Sequence, residues 1–153
     1  MRGVRILSWN VAGRAEAISS LRTMPDVDVA LLQEVTEDPS DDSFALVDDG
    51  PFVTSGWESR RFRSAVVARR AAVRATAEPV MRAVGEAAEG ELGVSRPGTI
   101  SVATVAAGGV EPLVVASVHA VWERPIVGGE IFGDGPAHRI ISDLTAIADS
   151  SLG

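Results

Sequence analysis

Val4 to Glu34 reads VRILSWNVAGRAEAISSLRTMPDVDVALLQE, and this stretch decides the fold. Two apolar runs, VRILSW and DVALL, end in the polar side chains of Asn10 and Glu34. Between them Ala12-Gly13 turns the chain. Ala15, Ile18, Leu21 and Arg22 then follow at helical intervals, until Met24-Pro25 ends the helix because proline cannot continue it. A strand, a crossover helix and a second parallel strand form a right-handed unit, which brings both strand ends to one edge of a sheet. Asn10 and Glu34 are therefore expected to be neighbours. An amide beside a lone carboxylate, at the rim where open α/β sheets bind ligands, suits one metal ion and one phosphate.

Outward from this stretch, Val27 to Val35 reads as the second buried strand, and Thr36 to Asp42 as an acidic loop before a weaker strand at Phe44 to Val47. Asp48-Asp49-Gly50-Pro51 is a turn, and Phe52 to Trp57 is expected to be another strand. Ser64 to Ala68 is compact and apolar. Val73, Ala75 and Ala77 alternate with Arg74, Thr76 and Glu78, the period of a strand with one wet face. Glu86 to Gly98, rich in glycine and acids, reads as a loop or mixed connection. Thr99 to Val105 and Pro112 to His119 form a strand pair through Ala107-Gly108-Gly109. Trp122 to Gly135 is a long loop of the kind that often carries function. Pro136 then opens a helix with Ile140, Ile141, Leu144 and Ile147 in one stripe. The expected fold is a single α/β (α+β) domain over 1–153, a mixed, largely antiparallel sheet with flanking helices.

The chain has 153 residues, enough for a real core, and a net charge of −7. Its 14 basic residues are all arginine. An acidic chain lacks the overall positive field that holds nucleic acid by charge alone, so a phosphate substrate would need a local metal or arginines. The absence of cysteine excludes disulfides, thiolate catalysis and cysteine-ligated metal centres. No run approaches the roughly 18–20 apolar residues of a membrane span, and the N-terminal apolar stretch, broken by Asn10, is too short for a secretory signal. A cytoplasmic location is the expectation.

Glu34 is the candidate metal ligand, since magnesium commonly uses one or two protein carboxylates and keeps waters and substrate phosphates as its other ligands. Set against this is a plain solvated strand end, and for Asn10 a simple turn residue. His119 closes the run LVVASVH and can donate a hydrogen bond to a phosphate oxygen or protonate a leaving group; the alternative is a strand cap or packing on Trp122. His138, in the first turn of the last helix, reads as an exposed or loop-packing side chain. Two histidines make a multi-histidine zinc site improbable. Arg60, Arg61 and Arg63, with Arg69-Arg70, are the basic clusters, and such runs are usually solvated faces. Asp38, Asp41 and Asp42 lack the spacing of a calcium loop, and Ser8 and Ser117 have no supporting triad.

The segments ILSWNVAGR, DVALLQEV, SAVVARR and VVASVHAVWERP, in this order, resemble the N-terminal half of the endonuclease/exonuclease/phosphatase superfamily, whose members include proteins like deoxyribonuclease I, exonuclease III, sphingomyelinases and inositol polyphosphate phosphatases. The strand ends SWN and LLQE at their spacing carry most of the likeness. The resemblance implies one half of a four-layer sandwich and a magnesium-dependent phosphoester hydrolase, with manganese as the alternative ion. It implies that Asn10 orients phosphate and the active-site network, that Glu34 binds the metal with Asn10 beside it, and that His119 contacts or protonates the scissile phosphate. Family members continue into a strand bearing Gly-Asp-x-Asn and end with an Asp-His pair. Neither motif is here, because Gly133-Asp134 is followed by Gly135-Pro136. The expectation is thus a C-terminally truncated domain of weak or no activity.

Two functions follow as expectations. One is a phosphodiesterase, phosphatase or nuclease acting on a small molecule, a lipid head group or nucleic acid. The other is a noncatalytic interaction protein that uses a sheet face left bare, which would also favour self-association.

Overall fold

The computed structural model describes residues 3–48, 50–54, 61–109, 111–119 and 136–152. Strand β1 (Ile6–Asn10), helix α1 (Ala15–Arg22) and strand β2 (Val29–Val35) form the expected crossover unit. The two strands run parallel, with Ile6 beside Val29 and Asn10 beside Gln33. The helix stops at Arg22 because Pro25 lies just beyond and Thr23 closes the last turn through its amide to Ser20.

Strands β3 (Phe44–Leu46), β4 (Val53–Thr54) and β5 (Arg61–Arg69) complete the first sheet, in the order β1-β2-β5-β3 with β4 paired to β5. The second sheet joins β6 (Arg74–Thr76), β9 (Ile100–Ala106) and β10 (Leu113–Val118) in the order β10-β9-β6, all antiparallel. Between β6 and β9 a ribbon pairs β7 (Met81–Ala83) with β8 (Leu92–Val94) in parallel. Helix α2 (Pro136–Leu152) follows β10. The architecture is α/β with mixed, largely antiparallel sheets and two helices, as the sequence implies.

Alternation along the strands sorts the apolar side chains into layers. Ala17, Ile18 and Leu21 of α1 cover Ala30, Leu32, Val35, Phe44, Ala65 and Val67 on the outer face of the first sheet. Full burial of side chains as large as Leu21, Leu32 and Phe44 contributes about 1.5–3 kcal/mol each. The inner face places Val29 and Val66 against Ala103, Val105 and Val115 of the second sheet. Leu144 and Ile147 of α2 cover Ile100, Val102, Ala116 and Val118 on the far side. Asp143 ties that helix down, accepting from the Ser95 hydroxyl at 2.7 Å and the Ser95 amide at 3.0 Å.

Among the described residues helix, sheet, sheet and helix thus stack in that order. The inner face expected to be bare is covered over β2 and β5. What stays open is the inner side of β1, where Ile6 is 43% exposed, and the start of β10, where Leu113 is 45% exposed. Glu86 to Gly98, expected as a loop or mixed connection, contains β8, too short to show a period; the strand expected over Phe52 to Trp57 is described only as far as Thr54, where Val53–Thr54 pair with β5, and residues 55–60 lie outside the described part. The loop expected from Trp122 to Gly135 also lies outside the described residues. No helix among the described residues is long and apolar enough to cross a membrane.

Candidate functional site

The parallel register carries Asn10 to the rim of the first sheet beside Gln33 and Glu34. There the Asn10 amide Nδ2 donates to Glu34 Oε1 at 2.9 Å, while its Oδ1 accepts from the Ala12 amide at 2.9 Å. The backbone continues the pairing past the strand ends: the Val11 amide donates to the Gln33 carbonyl at 3.0 Å and the Gly13 amide to the Glu34 carbonyl at 2.9 Å. Gly13 at φ 67° makes this sharp return possible. Asn10 is therefore fixed from both ends, by its turn and by its carboxylate partner.

Strict alternation would turn Glu34 towards α1, with Ala30 and Leu32. Instead the pairing of β2 with β5 shifts between Leu32 and Val35, a β-bulge, and Val35 takes the helix-side position. The extra residue leaves Gln33 and Glu34 both on the inner side. Glu34 itself adopts φ 56°, a left-handed conformation uncommon for a residue with a side chain. Bulges near functional sites re-aim side chains in this way, and backbone strain of about 1–3 kcal/mol persists only where the surroundings enforce it. Glu34→Gly should therefore melt higher than Glu34→Ala by roughly 2–4 °C, corresponding to about 1 kcal/mol in a domain of this size. Thermal denaturation of the two variants checks this, and the reverse order would refute strain at Glu34.

His119 arrives from the second sheet. It extends β10 by one residue, and its amide donates to the Thr99 carbonyl at 2.8 Å. Its ring packs edge-on against Phe62, with centroids 5.2 Å apart and planes at 86°. Its Nε2 lies 3.9 Å from Glu34 Oε1, the oxygen that Asn10 holds. Burial pushes the His119 pKa below its ordinary 6.5, and the neighbouring Glu34 charge opposes this without overcoming it. The imidazole is thus neutral at pH 7.

The structure brings Asn10, Glu34 and His119 together. The donor set is one carboxylate, one amide and one neutral imidazole, and no group of three or more histidine, aspartate or glutamate ligands occurs among the described residues. Such a set does not make a closed zinc site, which takes four protein ligands. It does suit magnesium, which needs one or two carboxylates and fills its octahedron with water and phosphate oxygens. Glu34 would hold the ion and Asn10 would orient Glu34.

The other polar clusters have structural work. Arg61 and Arg63 lie over the Phe52 ring, at 5.2 and 4.6 Å. Arg69 donates to the carbonyls of Val27 and Met24 and covers the Phe44 ring. Asp41 accepts from the amides of Phe44 and Ser43, which hold its carboxyl below the usual range, and pairs with Arg22 at 2.7 Å. His138 lies in the first turn of α2; Trp122 and Arg60 lie outside the described residues. Phe62 escaped the sequence reading because only the packing of the two sheets brings it to His119. Gln33 and Ser117 were visible as residues but not as partners; Ser117, two places before His119, shares its face by strand alternation.

The fold and the rim define an α/β two-sheet sandwich with a carboxylate, amide and imidazole at one end of its inner face. Comparison with protein-family models, curated proteins and solved structures finds no match for this chain.

Proposed function

We propose that this protein is a magnesium-dependent phosphoester hydrolase of the endonuclease/exonuclease/phosphatase type, cytoplasmic and of low turnover. The observation that carries the reading is the meeting of Asn10 and His119 on one oxygen of Glu34, at 2.9 and 3.9 Å, contributed by both sheets. A bound magnesium would supply positive charge against the oxygens of a phosphate. The Glu34 carboxylate would hold that ion, Asn10 keeps the carboxylate aimed, and the ring N–H of the neutral His119 would donate a hydrogen bond to a phosphate oxygen as water adds at phosphorus and the alkoxide leaves, taking up the proton that the water gives up. Low turnover is expected because no role in this scheme activates the water: Glu34 would be taken up by the ion, Asn10 by Glu34 and His119 by the phosphate. The net charge of −7 favours a small phosphoester or lipid head group over long nucleic acid.

Hydrolysis of bis(4-nitrophenyl) phosphate and 4-nitrophenyl phosphate, measured with magnesium and again with a chelator, tests the reading. Slow hydrolysis that requires the metal is the expected result, and hydrolysis indifferent to the chelator would overturn it.

Acid should weaken the site through His119. Its folded-state pKa lies below 6.5, so the imidazolium forms only as the pH falls through that lower value, and it then competes with the cation for Glu34. Magnesium affinity should be level above pH 6.5 and decline below it, and His119→Gln should flatten the decline. The unfolded chain takes this proton more readily, so the His119 contribution to stability is complete above pH 6.5 and lost as the pH falls through the folded value. Calorimetric titrations at stepped pH check both slopes.

A further inference from the structure

Glu34 and His119 stand on different sheets, so their separation depends on how β10 sits over β2. Small hydroxyl groups join the sheets at this point. Ser117 is fully buried, and its hydroxyl donates to the Leu32 carbonyl at 2.7 Å and accepts from Gln33 Nε2 at 3.0 Å. The Gln33 amide also donates to the Leu31 carbonyl at 3.0 Å. Leu32 is where the register of β2 begins to shift, and Gln33 is inside the bulge. The contact thus grips the backbone that turns Glu34 inward, and it does so from a residue two positions before His119 on the same side of β10.

We propose that Ser117 and Gln33 are the positioning residues of this site, a latch between the sheets that fixes both the bulge carrying Glu34 and the approach of His119. The proposal rests on Glu34, Asn10 and His119 being the functional rim. Neither latch residue touches substrate in this scheme. Their hydrogen bonds hold in place the backbone that carries Glu34; partners bonded directly to a metal ligand commonly change metal affinity by about 10–100-fold when removed, and the lower end of that range is expected for these two. A buried hydroxyl whose partners are carbonyl and amide groups also resists slippage, because any shift leaves polar atoms unpaired in the interior. An apolar contact at position 117 would tolerate sliding, since dispersion has no preferred direction.

The test uses Ser117→Ala and, because that change can weaken folding, Gln33→Met at the less buried partner. The first readout is the NMR shift of the His119 ring protons without metal, which the Phe62 ring 5.2 Å away displaces. The second is magnesium affinity by calorimetry. Both variants are expected to move the His119 resonances and to weaken magnesium about tenfold or more, and the double variant should do no more than either alone. Ser95→Ala, which loosens α2 at its tie to Asp143, should lower stability and leave both readouts unchanged. Wild-type resonances in folded Ser117→Ala and Gln33→Met would overturn the latch, as would equal movement in Ser95→Ala. If the resonances move while the wild type binds no magnesium, the latch stands and the metal reading fails.

Discussion

Glu34→Gln is expected to lower magnesium affinity and metal-dependent hydrolysis together, by about two to three orders of magnitude. The change keeps the size of the side chain and an oxygen that can accept from Asn10 Nδ2, now at 2.9 Å, so the turn at Asn10 and the bulge survive. It removes the one negative charge that Asn10 and His119 share. Near a protein surface two unit charges about 4 Å apart interact by roughly 4 kcal/mol, and each 1.4 kcal/mol is about a factor of ten in affinity. Calorimetry gives the affinity, diester hydrolysis the rate, and an unchanged melting temperature separates lost chemistry from lost fold. A folded variant with wild-type affinity would remove Glu34 from the site.

Gly98→Ala is expected to damage the fold most severely. Gly98 has φ +90°, and a Cβ there would run into the carbonyl oxygen of Pro51 and approach Val53 Cγ1 at 3.2 Å. The backbone cannot yield cheaply, because the Gly98 carbonyl accepts from the Ser64 amide at 2.8 Å and the neighbouring Thr99 carbonyl accepts from the Ser64 hydroxyl and the His119 amide, each at 2.8 Å. A steric collision with backbone added to a conformation that only glycine adopts easily should cost more than about 4 kcal/mol, a fall in Tm of roughly 10 °C or more, or leave the protein insoluble. Gly108→Ala, which meets nothing within 4 Å, should be close to neutral. Thermal melts of the pair decide the matter, and a small loss in Gly98→Ala would deny the close approach of the Pro51 segment.

Much of this was legible in the sequence, for reasons of range. The crossover from Val4 to Glu34 is written in neighbouring residues, by two apolar runs, a helical spacing and a proline, so its parallel pairing and the contact between Asn10 and Glu34 followed directly. The Gly108-Gly109 turn likewise announced β9 and β10. The features that escaped leave no local pattern or depend on partners far along the chain. The parallel ribbon of β7 and β8 is three residues deep and leaves no period to read. Ser117 reads as an ordinary strand serine until the sheets are stacked and its hydroxyl meets β2. The left-handed Glu34 was hidden too, because a bulge shows in the sequence only as an extra residue whose register must already be known.

That extra residue has a meaning that can be counted in the gene. Leu32 and Val35 sit on the same side of β2 with two residues between them, where a regular strand has room for one. Loss of a single triplet coding for Gln33 or Glu34 would keep the reading frame and return the strand to strict alternation, with both apolar cores still in place. Such a protein would fold, yet its strand end could present either the amide that grips Ser117 or the carboxylate that faces Asn10 and His119, never both.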